Sequence, residues 1–134
     1  MNLSKTGMDD KGAGYVSDLL ELNESISILI LSWNKIWGDG AIWLAWALTL
    51  NKYVLVFDGS FNNFGVQKGK EVAIEFSKMF EHNKYLLHID ISFCNFKESH
   101  AVYLNKGLWS NNSILGIHML GNEATTDPLG FIWP

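Results

Sequence analysis

A fixed spacing of polar residues constrains this 134-residue chain more than any other feature of its sequence. Asn34, Asn62, Cys94 and Asn122 follow one another at intervals of 28, 32 and 28 residues. Apolar residues recur eight, five and three positions before each of these residues and two positions after it. Gly59 and Ala124 are the two departures. The four sets are Ile26, Leu29, Leu31, Ile36; Val54, Phe57, Gly59, Phe64; Leu86, Ile89, Ile91, Phe96; and Ile114, Ile117, Met119, Ala124. Such a period predicts units that cannot bury their own apolar face and therefore stack.

The second half of each unit carries the spacing of a helix. Small or apolar residues fall at i, i+3, i+4 and i+7, which places them on one helical face. The sets are Ala13, Val16, Ser17, Leu20; Ala41, Leu44, Ala45, Leu48; Ala73, Phe76, Ser77, Phe80; and Ala101, Leu104, Asn105, Leu108. An asparagine follows each set three residues after its last member, at Asn23, Asn51, Asn83 and Asn111. Each unit is therefore predicted to contain a short strand and then a helix.

The combined pattern, L-x-x-L-x-L-x-x-N/C-x-L followed by a full helix, resembles leucine-rich repeat proteins of the ribonuclease-inhibitor type. The resemblance covers essentially the whole chain. It implies an α/β fold, a segment of a leucine-rich repeat solenoid (horseshoe) with parallel concave strands and convex helices. The expected single domain, 1–134, divides into a partial repeat 1–25, repeats at about 26–53, 54–85 and 86–113, and a partial repeat 114–134. The 32-residue unit departs from the standard length, with four extra residues expected near 65–71.

The recurring asparagine is interpreted as a structural corner residue. In the family that the chain resembles, this side chain turns inward and hydrogen-bonds backbone groups that have no sheet partner. Such bonds are needed because an unpaired buried amide costs free energy. The structural ladder is therefore Asn34, Asn62, Cys94 and Asn122, and Cys94 is expected to be structural rather than reactive.

Outward strand positions supply the first set of candidate binding residues. One column contains Trp33, Phe61 and Phe93, and a neighbouring one contains Asp58, Asp90 and His118, with His88 beside them. Ser32, Ser60 and Ser92 are also expected to point outward. Aromatic anchors beside an acidic row favour protein recognition on the concave face. The alternative is that Asp and Ser here are common family residues with no specific ligand.

A second candidate surface lies on the helix predicted over residues 41–50. Ile42, Trp43 and Trp46 fall outside its apolar stripe. Exposed tryptophans favour contact with a partner, another domain or a second copy. Lateral packing against neighbouring helices is the alternative, and the sequence does not decide between them.

Composition and net charge argue against several classes of function. The net charge is −4 and all ten basic residues are lysines without a cluster, which argues against a nucleic-acid interface. The single cysteine excludes an internal disulfide. MNLSKTGMDDKG lacks the apolar core of a signal peptide, and no apolar run reaches the roughly 20 residues of a membrane span. A cytoplasmic protein without membrane association is expected, with a ciliary or cytoskeletal role as a narrower hypothesis.

No catalytic residue, cofactor or metal is predicted. His88, Asp90 and His118 could converge on neighbouring strands, but two histidines and one carboxylate on an open sheet have no obvious supporting shell. His82 and His100 fall near a helix end and a helix start, where solvation or capping explains them. The chain shows no glycine-rich phosphate loop and no nucleophile elbow.

The sequence therefore favours a non-catalytic scaffold or adaptor that binds a protein partner. The alternative is a GTPase-activating regulatory domain resembling the Ran GTPase-activating proteins, for which no matching constellation is found. A further expectation concerns the ends of the chain. Neither Met1 nor GFIWP (130–134) looks like a polar cap, so we expect a segment of a longer protein that associates through its ends.

Overall fold

The computed structural model describes residues 1–128 and 132–133. Helices and strands alternate along this part of the chain. The elements are α1 (Asp10–Leu22), β1 (Ile28–Ile30), α2 (Gly38–Leu50), β2 (Val56–Asp58), α3 (Gly69–His82), β3 (His88–Asp90), α4 (Glu98–Ser110), β4 (Gly116–His118), β5 (Thr125–Thr126) and β6 (Ile132–Trp133). The predicted alternation of strand and helix within an α/β fold is confirmed.

The first four strands form a parallel sheet in the order β1-β2-β3-β4. Their central residues lie in one row, because Leu29 pairs with Phe57, Phe57 with Ile89, and Ile89 with Ile117. Leu29, Phe57 and Ile89 are completely buried, whereas the residues on either side of them are partly or largely exposed. This follows from the alternation of side chains along a strand, which turns every second residue toward the helices.

The helices cover the inner side of this sheet and pack against one another in sequence order. The predicted stripe of α2, Ala41, Leu44, Ala45 and Leu48, is buried together with the corresponding residues of α1 and α3. In α4 the stripe is looser, since Asn105 and Leu108 are only half-buried. A single core runs through all the units, and phenylalanines at positions 57, 64, 76, 80 and 96 are its largest buried side chains. One unit alone could not enclose these rings.

Asparagine side chains join three of the four corners to the unit before them, and Cys94 stands at the remaining corner. Asn34 accepts hydrogen bonds at Oδ1 from the backbone N–H groups of Thr6 (3.1 Å) and Met8 (3.0 Å). Its Nδ2 donates to the carbonyls of Leu3 and Leu31, both at 2.9 Å. Asn62 and Asn122 bridge their own units in the same way. One buried amide group thus replaces the sheet hydrogen bonds that the chain loses at the turn.

A second set of asparagines performs the same task where the helices end. Asn51 is the C-cap of α2, and its Oδ1 accepts from the N–H groups of Tyr53 and Val54, each at 2.8 Å. Its Nδ2 reaches back to the carbonyl of Leu20 at 2.9 Å. Asn83 and Asn111 repeat this arrangement. The regular spacing of these asparagines is visible in the sequence, but their role is not. They tie the end of one helix to the end of the preceding helix.

Four extra residues distinguish the third unit. Helices α2 and α4 begin four residues after their corner residues, Asn34 and Cys94, whereas α3 begins seven residues after Asn62 and is one residue longer. The longer loop contacts the corner of the following unit, where the N–H of Gly65 donates to the carbonyl of Cys94 at 2.8 Å. A side chain at Gly65 would collide with the backbone of Asn95, so the close contact requires glycine. Lys68 at the loop's end pairs with Asp39 at 2.6 Å.

The last described segment does not start a further helix. After Asn122 the chain forms an antiparallel pair, in which Thr125 faces Trp133 and Thr126 faces Ile132. Strand β6 lies against α4, with Ile132 buried. Of the stretch GFIWP, which the sequence interpretation treated as an uncapped end, Gly130, Phe131 and Pro134 lie outside the described residues.

We expect Asn62→Ala to lower the free energy of unfolding by about 2–4 kcal/mol, because it leaves several buried backbone groups without partners. Denaturant unfolding followed by circular dichroism measures the change. Asn112→Ala is the matched control, since Asn112 is exposed, and we expect a shift within about 0.5 kcal/mol. Equal effects of the two substitutions would contradict a bridging role for Asn62.

Cys94 is expected to resist thiol reagents in the folded protein. Its side chain is completely buried, its Sγ donates to the carbonyl of Gly59 at 3.2 Å, and burial raises the pKa of the thiol far above its ordinary value. Because the thiolate is the reacting form, modification should require unfolding. Reaction with an aromatic disulfide reagent in buffer and in denaturant tests this, and rapid labelling in buffer would contradict it.

Candidate functional site

Three aromatic rings from successive units stack on one another at the carboxyl-terminal edge of the sheet. The rings of Trp33 and Phe61 are 3.9 Å apart between centroids and 8° from parallel. Those of Phe61 and Phe93 are 4.5 Å apart and 10° from parallel. We call this set the aromatic ladder. It brings together the three aromatic residues that the sequence placed in one column.

The backbone of each ladder residue is left-handed. The φ angles are 58° at Trp33, 55° at Phe61 and 51° at Phe93. Each N–H group still donates sideways to the next unit, to the carbonyls of Ser60, Ser92 and Leu120 respectively. The chain therefore keeps its sheet bonding up to the ladder residue and reverses there, which carries the following Asn34, Asn62 or Cys94 into the core. Bulky residues rarely adopt this conformation, which costs about 1–2 kcal/mol for an L-residue.

The same backbone position in the flanking units closes the ladder at both ends. Lys5, at φ 55°, places its Nζ 5.7 Å from the centre of a Trp33 ring. Gly121, at φ 75°, lies under Phe93, whose ring would meet a Cβ at 2.2 Å. The sequence interpretation missed Lys5, although it stands 28 residues before Trp33 and the period could have identified it. The column thus runs from a cation through three rings to a glycine.

Stacking decides which part of each ring is available to a partner. Trp33 is 53% exposed and Phe93 41%, while Phe61 between them is half-buried. The neighbours cover both faces of the Phe61 ring, so this ring offers mainly its edge. The ladder is consequently a rigid ridge of ring edges, whose position is set before any partner arrives.

The carboxylates of the acidic row beside the ladder already accept hydrogen bonds within the protein. Asp58 accepts at Oδ1 from the N–H of Ser60 (3.0 Å) and from its hydroxyl (2.6 Å), and Asp90 accepts from the N–H of Ser92 at 2.9 Å. The expectation that Ser32, Ser60 and Ser92 point outward is wrong, because all three are buried. They lie where the chain leaves the sheet, and the turn at the following ladder residue covers them. Asp58 and Asp90 remain half-exposed.

His88 and His118 lie side by side, with ring centroids 4.7 Å apart. His88 covers Gly116, where a Cβ would stand 2.8 Å from its Nδ1. Among the described residues, no group of three or more His, Cys, Asp or Glu side chains is placed to hold a metal ion. Asp90 of β3 pairs with His118 of β4, and His88 lies two residues before Asp90, so all three side chains share one face of the sheet.

The remaining two histidines serve helix ends. His100 accepts at Nδ1 from the N–H of Lys97 (3.1 Å) at the start of α4, and His82 lies 2.8 Å from the carbonyl of Lys78. His100 is buried, and this burial lowers its pKa, with the charge of Lys97 acting in the same direction. His100 thus caps the start of α4, and His82 lies against the last turn of α3.

Trp43 and Trp46 lie on the opposite, helix-covered side of the protein. Trp46 is 52% exposed, and its Nε1 donates to Glu75 of α3 at 2.8 Å. Trp43 is less exposed and lies over Gly14 of α1. Each indole therefore packs laterally against a neighbouring helix and still leaves part of its surface open, so contact with a partner stays a prediction.

Comparison with known proteins places the fold. A scan against protein-family models and a search of curated proteins found no match. Among solved structures, the chain is similar to Leiomodin-1 Actin-Binding Site 2 (ABS2), with a TM-score of 0.74 over 91% of this chain and 68% of that one. The sequence identity is 15%, so the similarity concerns the leucine-rich-repeat-like fold. No helix in the described ranges is long and apolar enough to cross a membrane.

The strain in the ladder can be measured by comparing two substitutions at one position. Trp33→Ala and Trp33→Gly both remove the ring, but only glycine is free of steric strain at φ 58°. We expect the glycine variant to be more stable by about 0.5–1 kcal/mol, since the greater freedom of unfolded glycine offsets part of the relief. Denaturant unfolding of both variants measures the difference. A more stable alanine variant would contradict the left-handed conformation.

Proposed function

We propose that this chain is a non-catalytic, protein-binding module of a scaffold or adaptor, and that the aromatic ladder is its contact surface. The observation that supports this most directly is the ladder itself, formed by Trp33, Phe61 and Phe93. A strained backbone carries large, partly exposed rings in three successive units. Strain of this kind persists where the surrounding structure enforces it and is concentrated at functional sites.

Rigidity favours the ladder as a binding surface. Ordering a flexible side chain on binding costs about 0.5–1.5 kcal/mol. The stacked rings avoid most of this cost because their neighbours already hold them. Aromatic side chains are also enriched among the residues that dominate binding energy at protein interfaces. Asp58, Asp90 and His118 would form a polar border beside the rings, with His88 next to His118.

Actin is the partner that we propose to test first, because the similar solved structure is an actin-binding site of leiomodin-1. A cytoskeletal location in the cytoplasm would follow from such binding. The comparison does not support a ciliary role or the alternative of a GTPase-activating domain. Our proposal includes no catalytic residue, no cofactor and no nucleic acid.

The fold type belongs to the same proposal. We assign the chain to a solenoid segment of ribonuclease-inhibitor type, in which the sheet lines the concave side and the helices the convex side. Helices of 13 or 14 residues in each unit, together with the period of 28 residues, support this subtype. The ladder would then lie along the rim of the concave surface.

Binding to actin is tested by cosedimentation with filaments and by size-exclusion chromatography with monomeric actin. We expect the wild-type chain to bind one of the two forms. The triple variant Trp33→Ala, Phe61→Ala, Phe93→Ala should bind at least about 30-fold more weakly, the size of a loss of 2 kcal/mol at dominant interface residues. Trp46→Ala, on the other side of the protein, is the control and should bind like the wild type.

Two results would count against the proposal in different ways. Absence of binding to both forms of actin would exclude actin as the partner. Equal binding by the wild type and a folded triple variant would exclude the ladder as the contact surface. Circular dichroism of each variant shows whether the fold is retained.

A further inference from the structure

Helix α2 differs from the other helices of the described chain because it has no polar face. Its 13 residues, Gly38–Leu50, include one charged residue, Asp39. A helix that is apolar all round is normally buried on all sides. Here Trp43 and Trp46 remain partly exposed, and Leu50 is 74% exposed. These side chains form a connected apolar surface that other parts of the described chain leave uncovered.

This surface is the wall of a groove between α1 and α2. The groove has a volume of about 560 Å³, within the usual range for a binding cleft. Gly14 and Ala47 line the groove without a large side chain to fill it. Its apolar lining comes from Tyr15, Trp43, Trp46 and Leu50. A volume of this size accommodates several side chains of a partner.

Contacts with α3 and α1 hold the two indoles in place. The Nε1 of Trp46 donates to Oε2 of Glu75 at 2.8 Å, while Oε1 of the same carboxylate pairs with Lys78 at 2.8 Å. Trp43 lies so close to α1 that a methyl group added at Gly14 would stand 3.3 Å from its Cε3. The groove is therefore formed before a partner binds, which lowers the entropic cost of binding.

The charges around the groove are not balanced along its length. Lys11 lies toward the start of α1, whereas Asp18 and Glu21 line the other end. Neither α1 nor α2 has a basic residue in its last turn, so the partial negative charge of both carboxyl-terminal ends adds to these carboxylates. Glu24 and Lys52 follow the two helices in the chain, and neither of them lines the groove. This end of the groove consequently favours a cation.

We propose that the groove between α1 and α2 binds an amphipathic, basic helical segment of a partner protein. Aliphatic or aromatic side chains of that segment lie on Trp43 and Trp46, and its lysine or arginine side chains reach Asp18 and Glu21. A third helix fits the furrow between two adjacent helices, and recognition of an amphipathic helix in an apolar groove is a recurring mode of binding. The proposal is independent of the ladder and of actin.

The test uses a synthetic probe of known chemistry. A fluorescein-labelled peptide of about 18 residues, long enough to form a helix, carries leucine and alanine on one face and lysine on the other. A second peptide has glutamate at every lysine position, and a third has the lysine peptide's composition in scrambled order. Fluorescence anisotropy at physiological ionic strength gives the affinity of each peptide for the full chain.

We expect the lysine peptide to bind about tenfold more tightly than the glutamate peptide, the effect of two exposed charge pairs together. The scrambled peptide should bind more weakly than the lysine peptide, because it has no apolar face. Trp46→Ala should weaken binding of the lysine peptide severalfold, and Trp33→Ala on the ladder should leave it unchanged. Equal affinities of the lysine and scrambled peptides would show attraction by net charge alone and overturn the proposal.

Charge reversal provides the sharper comparison. Asp18→Lys with Glu21→Lys should remove the preference for the lysine peptide. The matched control, Glu81→Lys with Glu98→Lys, changes the net charge equally at exposed positions outside the groove and should retain the preference. Equal losses in the two variants would overturn the proposal. The oligomeric state is measured by sedimentation. A dimer of the wild-type chain that the Trp46→Ala variant does not form would also overturn the proposal, because a second copy would then occupy the groove.

Discussion

The rest of this structure depends on the hydrogen bonds that the corner side chains make between one unit and the next. A strand of three residues can pair through only a few backbone groups, and the chain must then turn while it is still inside the protein. Asn34, Asn62 and Asn122 resolve this problem with one side chain that both donates and accepts. Since the bonded groups belong to two units, no unit can complete its own corner. Stacking is therefore required by hydrogen bonding as well as by the apolar core.

The aromatic ladder follows from the same corner. For Asn34 to turn inward, the residue before it adopts a left-handed conformation, and here that residue is Trp33. Glycine occupies this position at Gly121 without strain. An aromatic residue costs about 1–2 kcal/mol in this conformation, and a stacked pair returns about 0.5–1.5 kcal/mol. Three residues are strained and only two pairs are stacked, so stacking offsets part of the strain and not all of it. Stability alone gives no reason to prefer three rings to three glycines.

The sequence predicted the parts of the fold that depend on apolar periodicity. The central strand residues Leu29, Phe57 and Ile89, the helix stripes and the corner position of Asn34 all follow from spacing and burial. The left-handed turn does not follow, because it depends on where the backbone must reverse. For that reason Ser32, Ser60 and Ser92 were assigned to the exposed face although the structure buries them. Aromatic residues in one column were expected, but their parallel stacking depends on backbone angles that a sequence pattern does not contain.

The end of the chain and the groove escaped prediction for a different reason. The pair β5–β6 breaks the period, so the repeat pattern carries no information about it. The groove requires residues of two helices at once, and Tyr15 and Asp18 lie outside the stripe used to recognise α1. Trp43 and Trp46 were singled out because they depart from the stripe of α2. Their neighbours were not, since a helical pattern identifies the buried face and leaves the arrangement of the other faces open.

Positions that repeat in every unit and positions that occur in only one therefore carry different information. The corner residues and the asparagines at the helix ends recur along the chain because the units need them, and they describe the frame of the protein. Tryptophans at 43 and 46 occur in one helix, and the frame gives no reason for them, because α1, α3 and α4 are formed without them. The ladder lies between these cases: the frame requires its backbone conformation, but not its rings. In a protein built from repeats, the residues that the repeat does not explain are therefore the candidates for function.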